Sequence, residues 1–420
     1  MLIIIVVFII FVSVKLFSKK EEFSLVKDIN IIDSVYEKIS NNIDREFLNW
    51  INDNYNNSLS KLNKKLEENE YNVSMWHDVT GYSYLVLNDL YNKKYEGMDN
   101  IKIIDSNNLS TFSFVGDVSL ADNWYVMPKY DSGGINNILS KDILDIMIKS
   151  DLMVVNSEFT VSNRGTPLKN KTYTFKAKPE RLSIYDEMGV DLVTLANNHV
   201  YDYGRDAFLD MLDSFDEKKI PHIGAGHNIE EAKKPFYFII NGYKFAFVNA
   251  TRAEKNIMTP GATENSEGVF RCYDETNMVN LIKEIRGDAD YVIAIIHYGK
   301  EFSHDLEEEQ ISGSRHYIDA GADAVVGHHA HVLQGVEIYK NKPIIYNLGN
   351  FIFNEETVET AIFQITIDND GIMDYYIIPA IQKEVYTDIL NDKEKQNVID
   401  KINNWNINAW IDESGKIIKQ

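Results

Sequence analysis

The sequence predicts an α/β fold in which two mixed β-sheets pack together and are covered by helices. Five apolar segments of strand length alternate with helical patterns such as Lys141 to Lys149. This rhythm is typical of parallel strands covered by helices. Two hairpin signals, Asn241-Gly242 and Asp370-Gly371, each separate two strand-like runs and indicate additional antiparallel strands. Parallel and antiparallel strands together favour two packed sheets over a single parallel one.

The composition limits the class of protein. The chain has 420 residues, of which 44% are hydrophobic, and this is enough for one large domain with additional segments. Its formal net charge of −22 argues against a surface for nucleic acid, which requires clustered Lys and Arg. The single cysteine, Cys272, excludes an intramolecular disulfide framework and a thiolate metal cluster. We therefore expect no nucleic-acid partner.

Residues 1–17 are predicted to form a membrane anchor. The segment is apolar apart from Ser13 and Lys15, and it approaches the roughly 20 residues that cross a ~30 Å hydrocarbon layer. It has no small-residue cleavage site and no cysteine for lipidation, so we expect the anchor to stay uncleaved. The alternative is a buried helix or strand. Lys19 and Lys20 follow the segment, and the positive-inside rule alone would keep the domain in the cytoplasm.

Residues 18–109 are predicted to form a mostly helical stalk or connector. No Gly or Pro occurs from Asp28 to Leu66, and apolar residues recur there in steps of three and four. One long helix or two consecutive helices would separate the membrane from the domain, and a coiled coil that binds a partner is the alternative. At the other end of the chain, residues 386–420 are expected to form a helix and a tail.

The segment 321–350 contains the strongest indication of a functional site. Ala322 to Val326 is a short apolar run typical of a buried strand, and Gly327 ends it. His329 and His331 follow, and residues two apart on an extended chain point to the same side. One buried histidine is more typical of an ordinary core. Two imidazoles aimed at one point after a strand indicate a metal site.

Four other apolar segments also end in residues with nitrogen or oxygen ligand atoms. The carboxyl ends of parallel strands meet at one edge of a sheet, so we expect these side chains to converge there. The residues are Asp117 after FSFVG, Asn156 and Glu158 in LMVVNSE, Asn197, Asn198 and His199 after DLVTLA, and His297 after YVIAII.

Seven successive motifs resemble those of the CapA capsule-synthesis family. They are FVGDVSL, VNSEF, YTFKAKPE, LANNHVYDYG, IHYGKEF, GADAVVGHHAHVLQG and IIYNLGNFIF. The resemblance covers roughly residues 110–380, and we place the domain at 110–385. It implies a metallophosphoesterase-like αββα sandwich and a role in the production of poly-γ-glutamate capsule. Tyr298 and Phe302 stand where the family usually has Trp and Tyr.

The resemblance to metallophosphoesterases also implies a set of metal ligands. These are Asp117, Glu158 as a bridging carboxylate, Asn198, His297, His329 and His331. His199 would contact the attacked group. Ser119 stands where a further histidine ligand is usual, which leaves one metal under-coordinated. Carboxylate, amide and imidazole ligands together suit Mn, Fe or Zn better than Mg, and two cations ~3.5–4 Å apart can activate a water. We therefore expect one or two divalent ions.

Other polar residues are candidates for proton transfer and substrate binding. Asp202 lies three residues after His199 and could hold its imidazole in one tautomer, although an acid stabilised at the start of a helix is the alternative. The predicted substrate contacts are Asn156, Lys176 and Glu301. Lys176 belongs to a lysine-rich loop that could line a groove for an anion. Glu301 could also be a general base or a loop cap.

Two functions remain open from the sequence. The first is a metal-dependent hydrolase or transferase that acts on an anionic envelope polymer, for which the resemblance implies poly-γ-glutamate. The second is a non-catalytic accessory subunit that binds the polymer or its membrane synthase and carries a vestigial metal site. Ser119 favours the second slightly. In both cases we expect a single-pass protein of the cell membrane with its soluble domain outside the cytoplasm, because the family's associated work is at the envelope.

Overall fold

The computed structural model describes residues 99–104, 109–240, 243–254, 258–368 and 371–420. The predicted anchor and nearly all of the predicted stalk lie outside the described residues. Within the described ranges, no helix combines the length and the apolar content that a membrane crossing requires. The chain divides into two units, Met1–Asp105 with Ile239–Lys244, and Ser106–Phe238 with Phe245–Gln420. In the first unit, strand β1 spans Ile101–Ile104, within the segment expected to be mostly helical.

The remaining strands follow in chain order. They are β2 Leu109–Val118, β3 Leu152–Ser157, β4 Thr160–Val161, β5 Lys176–Ala177, β6 Leu192–Thr194, β7 His222–Ile223, β8 Ala225–Gly226, β9 Phe236–Ile240, β10 Tyr243–Thr251, β11 Gly268–Val269, β12 Tyr291–His297, β13 Ala324–His328, β14 Val336–Tyr339, β15 Lys342–Ile345, β16 Asn350–Ile352, β17 Val358–Asp368, β18 Met373–Lys383, β19 Tyr386–Ile389, β20 Ala409–Ile411 and β21 Ile417–Lys419.

The helices lie between these strands. The α-helices are α1 Val126–Asp131, α2 Lys141–Lys149, α3 Ser183–Glu187, α4 Arg205–Glu217, α5 Ile229–Ala232, α6 Thr276–Ile285, α7 Glu308–Ala320 and α8 Asp392–Trp405, and two 3-10 helices span Ile135–Asn137 and Pro179–Leu182. The predicted helix at Lys141 to Lys149 is confirmed. Ser140 caps it by accepting a hydrogen bond from the Ile143 amide, and Ile143 and Met147, four residues apart, face the core.

One sheet of the second unit is mainly parallel. Its strands are ordered β9-β10-β12-β13-β15-β14. The pairs β10–β12, β12–β13 and β13–β15 are parallel, and β14 pairs with β15 in the antiparallel direction. Strands β9 and β10 are neighbours, as the predicted hairpin requires, and its turn residues 241–242 lie outside the described residues.

The other sheet is divided into a parallel and an antiparallel half. Its order is β19-β18-β17-β2-β3-β6-β7, and β16 pairs with β2. Strands β2, β3, β6 and β7 are parallel neighbours, whereas β17, β18 and β19 form an antiparallel meander. The predicted second hairpin is confirmed, because Ile367 pairs with Met373 across its turn. Strand β19 carries the sheet beyond residue 385, where we had expected the domain to end.

The two sheets pack face to face through aromatic side chains. The Phe112 ring of β2 meets the Phe245 ring of β10 edge-on at 4.7 Å, and the Phe114 and Phe247 centroids are 6.4 Å apart. All four side chains are buried, and each contributes about 1.5–3 kcal/mol by leaving water. Helices α2, α3 and α4 cover one sheet, and α6 and α7 cover the other. This four-layer arrangement agrees with the αββα sandwich that the resemblance implied.

The C-terminal segment is more structured than the expected helix and tail. Helix α8 is confirmed, and Asn391 caps it by accepting a hydrogen bond from the Glu394 amide. After it, β20 and β21 form a two-stranded antiparallel hairpin in which Trp410 pairs with Ile418. The expectation of an unremarkable tail was wrong, because Gly415 adopts a positive φ of 94° that turns the chain back on itself.

Candidate metal centre

Strand ends from both sheets meet at a single buried cluster. Strands β2, β3 and β6 deliver residues from one sheet, and β12 and β13 deliver residues from the other. Two glycines permit this close approach. A Cβ on Gly327 would lie 2.0 Å from the Tyr346 carbonyl oxygen, and one on Gly116 would lie 2.1 Å from the Gly349 carbonyl oxygen. Side chains at these positions would therefore push the strands apart and separate the ligand residues that follow them.

Glu158 lies at the middle of the cluster. Its Oε1 atom is 3.6 Å from His297 Nε2, 3.8 Å from His331 Nε2 and 3.9 Å from His199 Nε2. The side chain is 0% exposed, and Oε1 has no hydrogen-bond partner among the described residues. A buried carboxylate oxygen that faces three imidazoles without a hydrogen bond is costly unless a positive charge lies beside it.

Asp117 is held by several donors. Its Oδ1 accepts hydrogen bonds from Asn156 Nδ2 at 2.8 Å and from His328 Nδ1 at 3.1 Å. Its Oδ2 accepts one from the His329 amide at 3.2 Å and lies 3.3 Å from His331 Nδ1. Burial acts to raise the pKa of Asp117, but the hydrogen bonds from His328 and His331 outweigh it and hold that pKa well below its usual range. Asp117 is therefore ionised.

The pKa shifts of three other cluster residues, Glu158, His297 and His329, suit cation binding. Burial raises the pKa of Glu158 well above its usual range, and the charges of Asp117 and Glu301 raise it further. Burial lowers the pKa of His297 well below its usual value, and burial and the charge of His331 lower that of His329 to about 3. These two imidazoles are neutral near pH 7, as metal ligands must be, and a cation would allow Glu158 to ionise.

The residues present fit a divalent cation. Three overlapping triads have ligand atoms within 4.8 Å of one another, namely Glu158–His297–His329, Asp117–Glu158–His331 and Glu301–His329–His331. Asn198 Oδ1 is 2.7 Å from His297 Nε2. His329 Nδ1 is buried and, like Glu158 Oε1, has no partner in the described part of the chain. Two orphaned buried ligand atoms within one mixed nitrogen and oxygen set suit a divalent cation.

The backbone around the histidines is strained. His329 and His331 adopt positive φ values of 97° and 59°, and the neighbouring Phe302 has a φ of 58°. Side chains other than Gly, Asn and Asp seldom occupy this region, and each residue held there costs of order 1–3 kcal/mol. The consequence is that the two imidazoles are aimed by an irregular turn, and not by the strand alternation that the sequence suggested.

His199 forms a relay with Asp202. His199 Nδ1 donates to Asp202 Oδ2 at 2.7 Å, which leaves Nε2 facing Glu158. Helix α4 begins only at Arg205, so Asp202 is not the helix-start acid that was the alternative. Lys171 is 6% exposed, and its Nζ lies 2.8 Å from Asp202 Oδ1 and 2.8 Å from Glu254 Oε2. A buried ammonium thus compensates the charge of the carboxylate that orients His199.

The predicted substrate residues lie at different depths. Asn156 is buried and donates to Asp117 and, at 3.3 Å, to Glu158 Oε2, so it positions carboxylates. Lys176 donates to the Arg164 carbonyl oxygen at 3.0 Å and lies over the Tyr203 ring. Its described contacts do not include the cluster. Glu301 is exposed at the mouth of the centre.

Sequence reasoning missed two contributors. Asn350 Oδ1 accepts a hydrogen bond from His331 Nδ1 at 2.7 Å, which turns His331 Nε2 towards Glu158. Its position after a buried strand, in IIYNLGN, was a usable signal. Glu254 contacts Lys171, and nothing in the sequence indicated that pairing, because 83 residues separate the two.

Comparisons with known proteins agree with one another. The family model described as "Bacterial capsule synthesis protein PGA_cap" matches residues 111–355. The chain is 29% identical over 322 residues to "PGA biosynthesis protein CapA" of Bacillus subtilis, covering 74% of this chain and 82% of that protein. It is 31% identical over 216 residues to "Capsule biosynthesis protein CapA" of Bacillus anthracis, covering 50% and 52%.

A more distant relative has a different description. A Mycobacterium tuberculosis protein named "Probable polyglutamine synthesis accessory protein" is 23% identical over 217 residues, covering 50% of this chain and 57% of that protein. The chain therefore spans only about half the length of two of these three relatives.

Proposed function

The chain belongs to the bacterial capsule synthesis family PGA_cap, and from this premise we propose that it is a metal-dependent hydrolase or transferase. Its substrate would be the anionic polymer poly-γ-glutamate or a related envelope polymer. The observation that carries the proposal is the buried cluster around Glu158, with the His199–Asp202 pair directed at it.

The cluster residues would hold one or two divalent ions, with Mn, Fe or Zn favoured over Mg by the imidazole ligands. The residues concerned are Asp117, Glu158, Asn198, His297, His329 and His331. A bound cation supplies a water of lowered pKa and withdraws electron density from the attacked group. Cys272 takes no part, because it is buried among α6, α7 and their sheet.

His199 would transfer a proton during bond cleavage. Burial lowers the pKa of His199, whereas the neighbouring Asp202 acts against that shift. The imidazole is therefore neutral at rest, and Asp202 stabilises the cation formed when Nε2 takes up a proton. Lys171 keeps Asp202 in place through its own ion pair. This arrangement suits hydrolysis of an amide or phosphoester, in which Nε2 would take a proton from the attacking water and pass it to the leaving group.

The charge of the substrate is consistent with a cation at the centre. A chain with a net charge of −22 repels an anionic polymer at long range. Bound divalent ions would reverse the potential locally and draw carboxylates of the polymer to the mouth. We further propose that the domain lies outside the cytoplasm and is attached to the membrane, where a polymer synthase would be its partner.

One observation favours a second function. Ser119, in place of a histidine, is buried, and its hydroxyl has no partner among the described residues. An incomplete ligand set would suit a non-catalytic accessory subunit that binds the polymer or its synthase. The Mycobacterium tuberculosis relative is named as an accessory protein.

The test compares purified full-length variants on poly-γ-glutamate, with polymer length measured after incubation with Mn²⁺ or Zn²⁺. We expect His199→Gln to slow shortening at least ~100-fold, as loss of a general acid or base does. His316→Gln is the matched control, because His316 is exposed and pairs with Glu275. Polymer shortening by His199→Gln at the wild-type rate would contradict the catalytic proposal.

Capsule formation in cells separates the two functions. Glu158→Gln keeps the shape of the side chain and removes its charge. If the protein is an enzyme, this variant should not restore polymer to a strain lacking the wild-type protein. Full restoration would leave the accessory function standing.

A further inference from the structure

The ligand set has a gap on the Asp117 side. Asp117 is the next-to-last residue of β2, and Ser119 follows the strand directly. A serine hydroxyl is shorter than an imidazole and is a weak ligand for transition metals. The Ser119 hydroxyl forms no hydrogen bond within the described residues. A cation between Asp117 and His331 would therefore lack one ligand.

Glu301 lies where it could supply a further ligand beside His331. Its carboxylate and ligand nitrogens of His329 and His331 are within 4.8 Å of one another. His329 is 7% exposed, and its Nδ1 has no partner in the described chain. Glu301 itself is exposed, whereas Glu158 is buried, so Glu301 would bind a cation at the solvent end of the centre.

The loop that carries Glu301 is held in place. Gly299 has a φ of 99°, and a Cβ there would lie 2.6 Å from Gln310 Nε2. The Phe302 amide donates to the Ala330 carbonyl oxygen at 2.8 Å. This hydrogen bond fastens the loop directly to the turn that carries His329 and His331. The backbone is thus held on both sides of Glu301.

We propose that Glu301 is a metal ligand that binds, with His329 and His331, a cation at the exposed end of the centre. This inference rests on the metal centre of the proposed function. It replaces the earlier interpretation of Glu301 as a substrate contact, general base or loop cap. It also makes the exposed loop after β12 part of the metal site.

The experiment measures cation binding by the full-length protein, with Mn²⁺ and Zn²⁺ as probes in calorimetry and elemental analysis. We expect Glu301→Gln to raise the Kd of one ion at least tenfold, because the amide lacks the charge. Glu301→His should restore binding and shift preference towards Zn²⁺, since imidazole is the softer ligand. The matched control is Glu308→Gln, which makes the same change at an exposed site on α7.

The outcomes distinguish this inference from the proposed function. If wild type binds cations and Glu301→Gln binds them with a Kd within twofold, Glu301 is not a ligand and the metal centre stands without it. If wild type binds no cation, whereas circular dichroism shows a folded protein, the metal centre fails and the inference fails with it. His331→Ala gives the reference for loss of a ligand.

Discussion

The ionisation of Glu158 would depend on the cation of the proposed centre. In the metal-free protein its raised pKa keeps it neutral, because burial opposes the charge. In the unfolded chain it ionises near its ordinary pKa of 4.5. Above that pH the folded state binds more protons than the unfolded state. The contribution of Glu158 to stability therefore falls as pH rises.

Glu158→Gln should remove this pH dependence. In chelator-treated protein, we expect the free energy of unfolding of the variant minus that of wild type to increase from pH 5 towards pH 8. The slope has an upper limit of about 1.4 kcal/mol per pH unit for one proton. Urea denaturation at several pH values measures it. For Glu308→Gln, the difference in the free energy of unfolding from wild type should not change with pH. If the difference for Glu158→Gln does not change with pH either, the pKa of Glu158 is not raised in the folded protein.

At the scale of elements, the irregular turns do more to build the centre than the strands do. His297 and His328 are register partners in the parallel pair β12–β13. The candidate ligands His329 and His331, however, lie past the end of β13 on backbone with positive φ. Phe302, on the facing loop, shares that conformation and places its ring centroid 5.8 Å from that of His331.

Phe302 allows the strain of this loop to be measured. Its side chain is 63% exposed, so little packing is lost on substitution. Phe302→Gly should be more stable than Phe302→Ala by about 0.5–1 kcal/mol in metal-free protein. Glycine occupies positive φ without the ~1–2 kcal/mol penalty of other residues, and its greater freedom when unfolded offsets part of that gain. Thermal denaturation measures the stability of the two variants. If Phe302→Ala is as stable as Phe302→Gly, the loop is not strained at this position.

At the scale of the whole molecule, the open question is on which side of the membrane the domain lies, because two indications disagree. The lysines after residues 1–17 favour a cytoplasmic domain, whereas action on an envelope polymer requires the opposite side. The described domain supplies reporters on its surface. Lys141 is 81% exposed, and Cys272 is buried, so wild type itself serves as the unlabelled control.

We predict that a membrane-impermeant thiol reagent labels Lys141→Cys in intact cells and leaves wild type unlabelled. Labelling is measured on the isolated protein by mass shift. Permeabilised cells provide the total signal for comparison. If Lys141→Cys reacts only after permeabilisation, the domain is cytoplasmic and the proposed access to an extracytoplasmic polymer is wrong.

The sequence by itself determined the layers of the fold and the residues at the strand ends. Apolar runs such as those ending at Asp117 and His297 are typical of buried strands, and each places a polar residue at the carboxyl end of its strand. The His199–Asp202 contact was also predictable, because both residues belong to one short segment. Local periodicity and short-range spacing are sufficient for such features, since they depend on neighbours in the chain.

Only the tertiary structure decided which side chains from distant parts of the chain reach the cluster around Glu158. Lys171, and not Lys176, reaches the relay, because the fold brings the Glu254 loop against it. Asn350 sets the tautomer of His331, and Glu301 approaches His329 from the solvent side. These contacts depend on the order in which strands pair and on turns of positive φ. Neither the strand order nor these turns leave a periodic pattern in the sequence. Strand pairing depends on contacts between residues that are far apart in the chain.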